Sequence, residues 1–128
     1  MGQQQLLLII LGVIIVGIAI AVGLSLFSAQ SIQANKDAMI NDINNIAAYC
    51  YQYRIRPASM GGGQNSYLNA ALPTKMSSND NATYSLGVGG ATIDITGKSN
   101  SDATNGTIKA TLSATGSLGS WSYGSYFQ

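Results

Sequence analysis

The chain has 128 residues, with six Lys or Arg against five Asp, no Glu and no His, and a net charge of +1. So even a balance gives no basis for a nucleic-acid or acidic partner. Without His or Glu no ordinary nucleophile–base pair can be assembled, so neither enzyme activity nor a cofactor is expected, and a single cysteine, Cys50, excludes an internal disulfide and a Cys/His metal framework.

The first element is Leu6–Phe27, LLLIILGVIIVGIAIAVGLSLF, which has no charged residue and in which 16 of the 22 positions are Leu, Ile, Val or Phe. As an α-helix it is about 33 Å long, enough to cross the hydrocarbon core of a bilayer. Exposing it to water would cost on the order of tens of kcal/mol, so it belongs in lipid or among other apolar helices. Only Met1, Gly2 and Gln3-Gln4-Gln5 precede it. The lack of a basic flank and the length of the apolar run set it apart from a cleaved secretory signal. Gly17/Ala21 and Ala19/Gly23, spaced four apart, permit close approach of another helix.

The helical pattern continues past Phe27. From Ser28 to Arg56 the apolar positions are Ile32, Met39, Ile40, Ile43, Ile46, Ala47, Cys50 and Tyr53, mostly three, four or seven apart. Asn35, Lys36, Asp37, Asn41, Asp42, Asn44 and Asn45 lie mostly off that face. Proline is absent until Pro57, after which Met60-Gly61-Gly62-Gly63 opens a loop. One continuous helix is therefore expected from about Gln3 to about Ile55, roughly 80 Å long. Three parts result: an apolar half (residues 1–27), an amphipathic half (28–56) and a head (57–128).

Within the head, Gln64–Leu72 reads as a short helix or a packed loop ended by Pro73. Ala82–Val88, Ala91–Thr96 and Thr107–Ala114 alternate apolar and polar residues and read as strands, with the aromatic run Ser120–Phe127 as a last one. Gly89-Gly90, Gly97 to Gly106 and Gly116 to Gly119 read as the breaks between them. The expected fold class is α+β: one long N-terminal helix and a small antiparallel sheet of three to four strands. Tyr84, Leu86, Ile93, Ile95, Ile108, Leu112 and Trp121 are its core candidates. Ile32, Met39, Ile43, Ile46, Cys50, Tyr53 and Trp121 are the candidates for packing head against helix.

Several short patterns bear on chemistry. Gly97-Lys98-Ser99 resembles the end of a phosphate-binding loop but lacks the glycine five residues earlier, where Thr92 stands, so a turn is expected. Asp80, Asp94 and Asp102 have no calcium-loop spacing and read as solvated turn residues. Cys50, on the apolar helix face, reads as a small hydrophobe. Tyr49, Tyr51 and Tyr53 point about 200° apart in succession and read as packing residues rather than an aromatic relay. Arg54 and Arg56 suit the dipole at the helix end, or a neighbour's Asp37 or Asp42. Asn81-Ala82-Thr83 and Asn105-Gly106-Thr107 fit the glycosylation triplet, making Asn81 and Asn105 possible attachment points.

Gly2 followed by a polar triplet, the apolar run, its amphipathic continuation and a small β-rich head together resemble the type IV pilin superfamily. The resemblance covers about the first 56 residues by pattern and the rest by architecture. It implies a peptidase cut between Gly2 and Gln3. The chain departs from the family pattern in having Met1-Gly2 alone as leader and Leu7 where the fifth position after the cut is usually Glu. It also lacks a proline in the apolar half, which implies a helix that stays continuous in the fibre, as in archaeal-type pili. The head lacks the cysteine pair common in bacterial pilins.

The function expected from this resemblance is that of a major structural subunit of an extracellular helical filament. It would be held in the cytoplasmic membrane before assembly, handled by pilus assembly machinery, and polymerised with identical subunits. Leu7, Ile10, Ile14, Gly17, Ala21, Leu24 and Phe27 are the expected filament-core positions. The other reading is a membrane-anchored binding module or a minor pseudopilin of a secretion system.

Overall fold

A computed structural model describes residues 2–127; Met1, half of the expected leader, and Gln128 lie outside the described residues. The protein is α+β: one long N-terminal helix and a four-stranded antiparallel sheet. Helix α1 spans Gly2–Ile55, 54 residues. Nothing in that span breaks an α-helix, and Pro57, with φ −61° and ψ 151°, sets the chain into an extended conformation just beyond it. The chain then folds back over the helix end. Gly63 N donates to Tyr53 O (2.8 Å), Gln64 N to Arg56 O (3.1 Å) and Asn65 N to Arg54 O (2.7 Å), satisfying carbonyls that a helix terminus leaves open. Only glycine fits at position 63, where a Cβ would lie 1.9 Å from Ser66 O.

A 3₁₀ turn at Ala58–Met60 and a single helical turn, α2 (Thr74–Ser77), interrupt the irregular path to the sheet. Residues 64–72 form turns and loop rather than a helix. The strands are β1 (Ala82–Val88), β2 (Ile93–Ser99), β3 (Thr107–Leu112) and β4 (Leu118–Tyr123), paired in sequence order as a meander. A last 3₁₀ turn covers Ser125–Phe127, where the aromatic run had been expected to remain extended. Between β3 and β4 the register shifts at Lys109/Thr111, so Ser120 and Trp121 together oppose Ala110, and Ser120 takes φ 53°.

The chain divides into two compact units, Met1–Gln33 and Ala34–Gln128. In the second unit, Met39, Ile43, Ile46, Ala47 and Cys50 of α1 are buried, and so are Ala82, Tyr84, Ile93, Ile95, Ile108, Ala110 and Leu112 of the sheet. These sheet residues alternate along their strands, so one face of the sheet is the core face. Leu86 and Trp121, expected in the core, are only half-buried.

Gly97 is a correction: it lies inside β2, not in a break. Tyr84 stands opposite it in the register and fills the missing side chain's place; a Cβ there would come 2.9 Å from Tyr84 Cε1 and 3.0 Å from Met39 Cε. Lys98 and Ser99 follow in the same strand, so the expected turn is absent.

Candidate functional site

The chain's most unusual surface is Leu6–Phe27. All 16 of its Leu, Ile, Val and Phe residues are exposed, from 51% at Leu11 to 72% at Phe27. The candidate positions Leu7, Ile10, Ile14, Gly17, Ala21, Leu24 and Phe27 are all exposed, and a Cβ added to Gly17 would have nothing within 4 Å. The helix is long and apolar enough to cross a membrane, and none of its most apolar window is buried. At about 1.5–3 kcal/mol for each such side chain left in water, this surface requires cover. Gly2 and Gln3, the residues flanking the implied cut, are exposed in the first turn of α1.

The packing candidates fall into three groups. Met39, Ile43, Ile46 and Cys50 are buried. Tyr53 is half-buried, and its hydroxyl donates to Leu68 O at 3.0 Å. Trp121 is also half-buried and stacks on Tyr123, with ring centroids 6.4 Å apart and planes within 9°. Ile32 is half-buried and belongs to the first unit.

Besides Tyr53, the α1 side chains of Asn35, Asp42 and Arg54 make polar contacts with the head within the second unit that the sequence does not reveal. Ser99 Oγ donates to Asn35 Oδ1 (2.8 Å), while Asn35 Nδ2 reaches Asn81 O (3.4 Å). Tyr84 Oη donates to Asp42 Oδ2 (2.5 Å), which also accepts from Asn79 Nδ2 (2.8 Å). Arg54 Nε donates to Ala114 O (3.2 Å), and its guanidinium lies 5.2 Å from the centre of the Tyr67 ring. Arg54 therefore binds the head of its own chain instead of merely facing the helix dipole. Asn35 is four residues before Met39 and Arg54 four after Cys50, so both prolong the buried stripe; that spacing was the available signal.

Burial pushes the Cys50 thiol from 9.0 up to about 11, leaving it protonated and unreactive at neutral pH. Tyr84 is raised first by burial and then by its bond to Asp42. Asp94 is corrected from a turn residue to a member of β2, where it accepts from Thr111 Oγ1 (2.7 Å) and pairs with Lys109 Nζ (3.3 Å). The Thr111 bond leads in holding its carboxyl below the usual range. Asp102 caps its own turn by accepting from the Thr104 and Asn105 amides at 3.1 and 3.0 Å. Asn81 and Asn105 are exposed and lie at the same end of the sheet, just ahead of β1 and β3. Among the described residues no three His, Cys, Asp or Glu side chains gather as a metal site would require.

No family model, curated protein or solved structure matches the chain.

Proposed function

We propose that the chain is a pilin-like structural subunit of an extracellular helical filament. It waits in the cytoplasmic membrane through Leu6–Phe27 and is delivered by assembly machinery to a polymer of identical subunits, where these helices bundle as the core. The observation that supports this reading is the exposure of all 16 large apolar residues of that stretch beside a head whose own core is already filled. A single-span anchor needs only the apolar half of α1. A subunit that must be carried rigidly in a fibre also needs the second half clamped to its head, and Asn35, Asp42 and Arg54 supply such clamps. Transfer from lipid to a helix bundle keeps the stretch away from water throughout, so extraction need not expose it.

The test is Ile14→Asp. A carboxylate placed among packed aliphatic side chains costs several kcal/mol unless it is paired, on the order of 3–5 kcal/mol for an uncompensated charge. The variant is expected to abolish filaments in the fraction sheared from cells while its head still folds. Filaments at the parent's level from Ile14→Asp would refute the reading.

A further inference from the structure

Within the second unit a pocket of about 140 Å³ opens between α1, α2 and β1. Ile46 of α1 and Met76 of α2 give it an apolar wall, and Asp42 and Lys75 bring opposite charges to its lining. Asp42 is held in place. Tyr84 Oη and Asn79 Nδ2 both donate to its Oδ2 oxygen, at 2.5 and 2.8 Å, so among the described residues its Oδ1 oxygen has no hydrogen-bond partner. Asn79 is anchored in turn, its Oδ1 accepting from the Asn81 and Ala82 amides at 2.8 and 3.0 Å. The free carboxylate oxygen is therefore a preset acceptor. Lys75, exposed on the single turn of α2, takes no carboxylate partner; among the described residues the one ion pair joins Lys109 to Asp94. Two opposite charges thus line one small pocket without neutralising each other.

We infer that this pocket binds a small α-amino acid as its zwitterion. The ammonium donates to Asp42 Oδ1, the carboxylate accepts from Lys75 Nζ, and a short side chain lies against Ile46 and Met76. Both polar contacts are charge-assisted, and one of them meets a carboxylate that the fold has already oriented, which lowers the ordering cost of binding. The charges select the ligand class. A simple cation would face Lys75 and a simple anion would face Asp42, whereas a zwitterion satisfies both. Size sets the limit: a cavity of about 150 Å³ accepts benzene, and alanine has as many non-hydrogen atoms. Every residue involved belongs to the second unit, so the inference is independent of the filament reading.

The experiment follows the Met76 methyl resonance of the full-length chain in detergent, labelled at its methionine methyl groups, while L-alanine is added. Met76→Leu assigns the signal. A saturable shift is expected at Met76 and none at Met60, which lies outside the pocket. N-acetyl-alanine and alanine amide each lack one of the two charges and are expected to bind about tenfold more weakly or worse. Lys75→Gln removes a side chain that has no ion-pair partner in the fold. It is expected to weaken L-alanine by about tenfold and to bind L-alanine and its amide alike, because the carboxylate has lost its partner. No saturable shift at Met76 overturns the inference. So do equal affinities of the parent chain for L-alanine and either analogue, and so does an unchanged affinity of Lys75→Gln for L-alanine.

Discussion

The two stretches of α1 share a backbone conformation and differ in what surrounds them. In Leu6–Phe27 every large aliphatic side chain is exposed, whereas in Ala34–Ile55 a stripe through Met39, Ile43, Ile46, Ala47 and Cys50 is buried. The first stretch is apolar on all sides, so no folded arrangement of one such helix can hide it. The second is apolar on one face only, and a single small sheet suffices. A helix needs one partner for each apolar face, and among the described residues nothing covers Leu6–Phe27.

The comparison breaks most sharply at matched isoleucines. Ile43→Ala should destabilise the full-length chain in detergent by about 2–5 kcal/mol, because it opens a cavity in a filled core. Ile14→Ala should change the same denaturation midpoint by under about 0.5 kcal/mol, because nothing in its own chain packs on it. Equal effects would show that the two stretches are not distinct.

Gly97→Ala is a smaller perturbation. The new methyl group would meet the Tyr84 ring and the Met39 terminus at 2.9–3.0 Å, and Met39 can yield more easily than the ring. A loss of about 1–3 kcal/mol is expected by denaturant titration. No loss would mean that the sheet does not press on the helix stripe.

The smallest effect is confined to alkali. Cys50 and Tyr84 have folded-state pKa values raised above their ordinary ones, so the fold holds their protons more tightly than the unfolded chain does. Their contribution is complete below pH 9.0 and is lost as the pH rises, for Cys50 through about 11 and for Tyr84 from 10.0 upward. Stability should therefore be level near neutrality and decline above about pH 9, and Tyr84→Phe should lessen the later part of the decline, to which Tyr67, also raised by burial, contributes as well. A profile that stays level to pH 11 would contradict the burial of both groups.

Much of the fold was legible because it is periodic. The three- and four-residue spacing from Met39 to Cys50 marks the buried face of α1, and alternation placed β1 to the residue. The extent of α1 followed from the lack of any breaker before Pro57. What escaped was non-local. Tyr67 is fully buried, with its hydroxyl donating to Ser113 O at 2.6 Å and its amide to Gly90 O at 3.1 Å, yet it sits among Gly, Gln, Asn and Ser with no pattern around it. Its burial depends on residues that meet it only in the folded chain. Gly97 was misplaced because glycine usually interrupts a strand, and here the partner strand's tyrosine occupies the space. The apolar surface of Leu6–Phe27 was legible from composition alone, whereas the close approach of the turn at Gly116 to Tyr51 was not.

The most direct measurement is electron microscopy of material sheared from cells that express the full-length chain, paired with peptide mass analysis of the sheared protein. The proposal expects abundant filaments composed of this subunit, with Leu6–Phe27 retained and protected from protease. Sheared material lacking the protein, with the chain recovered only as single molecules in detergent extracts of the membrane, would contradict it.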